Sequence, residues 1–136
     1  MAATLKLEIV TPEAVTFSED VEMVTLPGIE GEMGIYPEHV PLMTQVVPGE
    51  IVVRKGGQET YLAVGEGFVE ITAKRVSVLT DMAVKADSID EAKAEEAKRR
   101  AEARLKEKLS SEETAAAEAS IARSVALLGV KKRQRR

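Results

Sequence analysis

Cysteine and tryptophan are absent from the 136 residues, histidine occurs once, and Phe and Tyr together number four. Without cysteine there is no disulfide framework, no thiol nucleophile and no Cys-ligated zinc. A single histidine, His39, leaves no His cluster for a metal and no Ser–His pairing that does not depend on it. No phosphate loop is present, because Gly28, Gly31 and Gly34 are spaced by three and no Lys-Ser/Thr follows. The 23 Asp and Glu are dispersed, as solvating carboxylates are, so no catalytic residue and no metal ligand is assigned. No apolar run approaches the roughly 18 residues of a membrane span. Residues 1–10 lack the basic stretch followed by an apolar stretch of an export signal, and a cytosolic, non-enzymatic chain is expected.

What is present is unevenly distributed. Eight of the nine glycines, all five prolines and all four aromatics lie before residue 87. Residues 87–136 hold 11 alanines, no proline and no aromatic. Residues 1–86 carry a net charge of −7 and residues 87–136 one of +3, within a total of −4. Two compositions so different predict two architectures, divided at residues 86 and 87.

The first is β. Leu5, Leu7 and Ile9 alternate with Lys6 and Glu8, the period-two signature of a half-buried strand. Similar runs occupy 21–26, 51–54, 60–64, 68–72 and 76–79. Thr11-Pro12, Pro27-Gly28 and Pro48-Gly49 punctuate them, and Gly56-Gly57 and Ala73-Lys74 read as hairpin turns. About ten short strands in a β-sandwich or flattened barrel are expected over 1–86.

The second is an antiparallel two-helix hairpin over 87–136, making the fold class α+β. Ser88 with Glu91, and Ser110 with Glu113, fit capping boxes. Ile89, Lys93, Ala97, Ala101, Leu105 and Leu109 form one stripe. Ala115, Ala119 or Ala122, and Ala126 form another, with Gly129 as the expected terminator. At roughly 0.8 kcal/mol per buried CH₂, an alanine seam holds two helices far less firmly than a leucine seam. A weakly committed, movable hairpin is therefore expected.

Residues 26–43, LPGIEGEMGIYPEHVPLM, concentrate three glycines, three prolines, three glutamates and the lone histidine. Such a segment must be turns and short edge strands fixed by Gly and Pro dihedral restrictions. Its pattern Gly28, Gly31, Gly34-Ile35-Tyr36-Pro37, His39, Pro41-Leu42 resembles that of the epsilon subunits of F-type ATP synthase. Leu7 to Glu13, Phe17-Ser18, Val21 to Val24, Gly67 to Ile71, Val76 to Leu79 and Ile89 to Ala92 are similar to the same family, in the same order. The likeness spans the chain. Position 38, commonly glycine in that family, is Glu38 here.

The resemblance implies a non-catalytic central-stalk rotor subunit of proton-driven ATP synthesis. Its sandwich would join the gamma subunit to the membrane c-ring, with Glu30, Gly31, Glu32 and His39 as contacts. Its hairpin would extend toward the catalytic alpha and beta subunits and inhibit ATP hydrolysis, through Arg99, Arg100 and Arg104. Those arginines equally suit a salt-bridged helix face, since Glu95 precedes Arg99 by four and Glu96 precedes Arg100. The implied place is peripheral, at the cytoplasmic face of a bacterial plasma membrane. No cofactor is implied beyond a possible regulatory ATP at Ile89, Asp90, Lys93 and Arg123, where Lys93 replaces the family's arginine and loses its planar fork. The rival reading is an adaptor using the basic hairpin and the tail 131–136 to bind nucleic acid or an anionic surface. An acidic sandwich and a hairpin without aromatics count against nucleic acid.

Overall fold

The computed structural model describes residues 3–134. Ten strands come first: β1 (Leu5–Val10), β2 (Val15–Val21), β3 (Met23–Gly28), β4 (Gly31–Ile35), β5 (Leu42–Val46), β6 (Gly49–Lys55), β7 (Gln58–Val64), β8 (Gly67–Ile71), β9 (Arg75–Thr80) and β10 (Ala83–Lys85). A 3-10 turn (Ala86–Ser88) leads into α1 (Glu91–Arg104) and α2 (Ser111–Gln134). The expected α+β fold, a sandwich followed by a helical hairpin, is the one observed.

The strands run in the order β10-β7-β6-β3-β5-β8-β9-β1-β2, with β4 also paired to β3. β3 and β5 meet at one pair, Gly28 opposite Val46, and there the sheet turns back on itself. One layer is β10-β7-β6-β3-β4 and the other is β5-β8-β9-β1-β2. The far edges approach as well, since Lys85 Nζ of β10 stands 5.5 Å from the centre of the Phe17 ring of β2, and at the end of β6 Lys55 Nζ lies 3.3 Å from Glu19 Oε1 of β2. Between the layers, Leu7, Ile9, Leu26, Ile51, Leu62 and Ile71 are fully buried. Each contributes roughly 1.5–3 kcal/mol of apolar burial. β1 shows the expected alternation, with Leu5, Leu7 and Ile9 inward.

The run at 21–26 is not one strand. Val21 ends β2 and Met23 begins β3, because the chain crosses from one layer to the other at Glu22. Glu22 serves that crossing twice: its N–H donates to the Arg54 carbonyl at 2.9 Å, and its carboxylate accepts from the Gly56 N–H at 2.6 Å. Gly56 and Gly57 have φ of +59° and +78°, the pair of left-handed residues that a two-residue hairpin turn requires.

Three helix expectations need correction. Asp90, not Ser88, caps α1: its Oδ1 accepts from the Lys93 N–H at 3.1 Å, while Ser88 belongs to the 3-10 turn. Of the stripe counted from Ile89, Ala97 and Ala101 do face α2, while Ile89 lies before the helix and Ala94 takes the place expected for Lys93. Ala94 and Ala101 are the buried residues of α1, Lys93 is exposed, and the helix ends at Arg104 rather than near Leu109. Gly129 does not terminate α2, whose buried residues are Ala117, Ser124, Ala126 and Val130 and which continues to Gln134. A helical glycine costs about 1 kcal/mol against alanine, and the contacts of Val130 and the turn beyond it offset that cost. The second capping box is present: the Glu113 N–H donates to Ser110 Oγ at 3.1 Å and the Ser110 N–H to Glu113 Oε1 at 3.2 Å.

Candidate functional site

β3 and β4 pair from Val24 opposite Ile35 to Gly28 opposite Gly31, so Ile29 and Glu30 form the hairpin tip. Glu30, Gly31 and Glu32 are all exposed there, and the tip is docked by the Ile29 N–H on the Gln45 carbonyl at 3.0 Å. His39 is elsewhere. It lies in the loop after β4, at the end of that strand away from the tip, and its Nδ1 is 2.5 Å from the Val40 carbonyl. That loop is fastened to the β8–β9 turn by the Glu38 N–H, which donates to the Ala73 carbonyl at 2.7 Å.

Glu38 has φ of +68°, a left-handed backbone on a residue with a side chain. Such a conformation costs roughly 1–2 kcal/mol for an L-residue other than glycine. Glu38→Gly is expected to raise stability by about 0.5–1 kcal/mol, net of the entropy glycine adds to the unfolded chain. Denaturant titration should show a higher midpoint with an unchanged slope.

The two outer faces of the sandwich differ. Ala126 and Val130 of α2 cover the first layer, packing with Ala63, Ala86 and Ile89 and against Tyr61, Val84 and Leu127. The second layer is bare. Phe68 stands opposite Leu79 and Leu79 opposite Val10, while Val10 faces Val15, so an apolar row crosses four strands. Phe68 is 55%, Leu79 56% and Val15 58% exposed, and Met43 on the neighbouring β5 is 66% exposed. Two residues along, the row Glu70, Ser77, Glu8 and Ser18 is polar, with Met43 of β5 at its end opposite Glu70. Tyr36 and Val40, also exposed, lie in the His39 loop at the 72–74 end of β8 and β9, beyond the polar row.

These residues were missed in reading the sequence, although a signal was there. Phe68 shares its alternation phase with Glu70, and Leu79 shares its phase with Ser77. An aromatic and a leucine on the polar phase of two adjacent strands point outward.

The hairpin arginines have separate surroundings. Arg100 pairs with Glu96 at 3.0 Å, as the four-residue spacing predicted, and Arg104 pairs with Glu113 at 2.9 Å, joining the two helices. Arg99 is exposed, and no ion pair joins it to Glu95 among the described residues. The Ser110 N–H, then its hydroxyl, then Arg104 hold the Glu113 carboxyl below its usual range. Ala97, Ala101, Ala116 and Ala117 floor a groove of about 290 Å³ between the helices, with Arg100 and Arg104 on its wall. Small side chains leave that seam underfilled.

Of the nucleotide candidates, Ile89 is buried under α2, Asp90 is the cap of α1, and Lys93 is exposed. Arg123 turns to the sandwich, 3.7 Å from Asp81, beside a small pocket that also holds Glu66 and Glu118. The structure therefore does not gather these four around one cavity. At the basic end of α2, Arg133 pairs with Glu50 at 3.1 Å and Lys131 donates to the Ala86 carbonyl at 3.2 Å. Arg135 and Arg136 lie outside the described residues. Burial raises the Glu50 pKa and Arg133 opposes this, while Glu32 and Glu59 push it further up. Among the described residues no helix is long and apolar enough to cross a membrane.

Two family models divide the chain between them: the ATP synthase delta/epsilon β-sandwich domain over residues 4–86 and the delta/epsilon long α-helix domain over 87–132. The ATP synthase epsilon chain of Herpetosiphon aurantiacus is 43% identical over 131 residues, 96% of each chain. That of Dehalococcoides mccartyi strain BAV1 is 47% identical over 135 residues, 98% of this chain and 96% of that one. The chain belongs to the ATP synthase epsilon family.

A chain of the Euglena gracilis mitochondrial ATP synthase, solved in an OSCP, F1 and c-ring assembly, superposes with a TM-score of 0.79 at 23% identity. It covers 95% of this chain and 82% of that one, and at that identity the likeness is one of fold. Epsilon chains are stalk subunits, so this chain is a non-catalytic part of the ion-translocating synthase.

Proposed function

We propose that this epsilon chain couples a gamma subunit to the c-ring in proton-driven ATP synthesis and restrains ATP hydrolysis through its hairpin. The observation that carries this reading is the contrast between the two sandwich faces. One is covered by the chain's own α2, and the other leaves Phe68, Leu79 and Met43 exposed on a rigid β surface. A contiguous apolar patch of this kind on a small domain marks a partner interface. The gamma subunit is its occupant, with His39 contributing from the loop at the far end of β8 and β9, beyond the polar row. The acidic tip, Glu30 to Glu32, serves a second partner, the polar loops of the c-ring, by charge complementarity. Two partners on two surfaces is what a rotor coupling requires. Its place is peripheral, at the cytoplasmic face of a bacterial plasma membrane, held there through the complex.

The hairpin supplies the restraint. Its alanine seam and the largely solvent-exposed polar ties that hold it on the sandwich favour the folded form only shallowly, so a small differential affinity shifts it. On extension, Arg99, already unpaired among the described residues, and Arg100 and Arg104, freed from Glu96 and Glu113, face acidic surfaces of the catalytic alpha and beta subunits. Truncation after Lys85 is expected to raise hydrolysis by the assembled enzyme while the sandwich still co-purifies with gamma. Unchanged hydrolysis overturns the inhibitory role.

No cofactor is assigned to this activity. Regulatory ATP on the folded hairpin would draw on Ile89, Asp90, Lys93 and Arg123, and Arg123 would have to leave Asp81 to reach it. Calorimetry with magnesium-free ATP at millimolar concentration decides: heat of binding supports that site, and a flat titration removes it.

A further inference from the structure

α2 holds the sandwich unevenly. At its middle its ion pair with the strands is Arg123–Asp81, 3.7 Å apart and partly exposed. Its apolar contacts begin at Ala126 and Val130. The last turn then makes four polar engagements in four residues. Lys131 Nζ donates to the Ala86 carbonyl at 3.2 Å, Arg133 Nη1 pairs with Glu50 at 3.1 Å, the Arg133 guanidinium lies 5.3 Å from the centre of the Tyr61 ring, and Gln134 Nε2 donates to Asp87 Oδ1.

Two of these partners, Ala86 and Asp87, are in the 3-10 turn that joins sandwich to hairpin. The end of the hairpin is thus tied to its own beginning. Any swing of the hairpin away from the sandwich must rotate the backbone of that link, and while Lys131 and Gln134 hold it the link is fixed. An open cleft of about 550 Å³ runs along α2 from Ala122 past Val125 and Gly129 to the Arg133–Glu50 pair, with Pro48 on its other wall. α1 is carried on α2 through Ala94, Ala101, Ala117 and the Arg104–Glu113 pair, and the same motion moves it.

We propose that the last turn of α2, residues 131–134, is a clasp that locks the hinge at 86–88, with Arg133 as its central group. Release of this one turn frees both helices as a unit. Arg133 suits the part because a planar guanidinium both stacks on Tyr61 and bonds a carboxylate, which lysine does not combine. Glu50 is half-buried, so losing Arg133 leaves a partly desolvated carboxylate without its partner, the costly way to break a pair. The proposal rests on the hairpin being the movable element, but its test needs no motor.

The absence of cysteine allows two dyes to be placed specifically, on Glu13→Cys in the sandwich and Glu107→Cys between the helices, in the isolated full-length chain. Energy transfer between them reads hairpin position directly. Arg133→Glu, which sets a carboxylate against Glu50 and Glu59, is expected to raise the ratio of open to closed hairpin at least tenfold. Combining it with Glu50→Arg restores the closed form. Lys132→Glu, the same charge change one residue away on an exposed position, leaves transfer unchanged. The thermal transition of the sandwich confirms that each variant is folded. Unchanged transfer in Arg133→Glu, failure of the swap to restore it, or equal opening by Lys132→Glu overturns the clasp. A clasp that behaves as described in an enzyme whose hydrolysis ignores the hairpin would leave the clasp standing and sink the inhibitory reading.

Discussion

Gly67→Ala is expected to cost about 3 kcal/mol or more, the upper range for overpacking a tight site. A Cβ at Gly67 would stand 1.8 Å from the Leu79 carbonyl oxygen and 2.8 Å from the Thr80 Cα. Both neighbours are backbone, so no side chain can rotate aside. Relief requires β8 to separate from β9 at Gly67–Thr80, the first pair of their register. The next pair is Phe68–Leu79, and beneath it Val69 and Val78 are fully buried. The shift therefore strains the core on one side and breaks the exposed apolar row on the other. Against a total stability of about 5–15 kcal/mol for a domain of this size, the loss is a large fraction. Chemical denaturation should show a lower midpoint, and gamma binding should weaken with it. A midpoint within error of the parent chain would mean that the two strands are not held as closely as described. Gly65→Ala makes a useful comparison. There the nearest group is the Asp81 carboxylate at 1.9 Å, a side chain that can turn away at the cost of its pair with Arg123. Its effect should be smaller.

The sequence carried the architecture because its signals were local. The alternation of Leu5, Leu7 and Ile9, the Gly56-Gly57 turn and the Ser110–Glu113 box each fix structure within a few residues of themselves. What failed to show was set by distant partners. Ser18, Glu19 and Asp20 interrupt the polar alternation of β2, and pairing with Glu8, Leu7 and Lys6 of β1 makes it a strand nonetheless. Gly129 looks like a stop, but Arg133 reaches back to Glu50 across the chain, and Lys131 reaches to Ala86. No spacing rule connects residues so far apart.

The site divided in the same way. The acidic tip was visible as Glu30-Gly31-Glu32 in a segment rich in glycine and proline, and the structure sets it on an exposed hairpin. His39 was grouped with it by the family resemblance, and the structure puts it at the other end of β4. The apolar face was legible only in part. Phe68 and Leu79 are on the polar phase of their strands, yet their adjacency depends on the β8–β9 register, which a three-residue turn at 72–74 fixes. The Glu38 backbone followed the same logic: the departure from glycine was plain in the sequence, and its consequence is a left-handed residue.

Phe68→Glu provides the sharpest separation of docking from folding. Phe68 is 55% exposed and points away from the core, so losing its ring from the free chain should change stability little. Glutamate would stand opposite Gln45 on one side and Leu79 on the other, with Glu70 two residues along the same strand. Surface substitutions away from caps and cores stay within about 0.5 kcal/mol. At an interface the arithmetic differs. An aromatic at the centre of an apolar patch is the residue type on which binding energy concentrates, and its loss costs about 2 kcal/mol or more. Burying a carboxylate against an apolar partner adds to that cost. Affinity for an isolated gamma subunit should fall about thirtyfold or further, since each 1.4 kcal/mol is roughly a factor of ten. The loss should persist at high salt, because the contact is apolar and is not screened. Glu32→Gln, by contrast, should leave gamma affinity intact and weaken only the salt-sensitive contact to the c-ring. Gamma binding that survives Phe68→Glu unchanged would move the gamma interface off the bare face, and the coupling role would then need another surface.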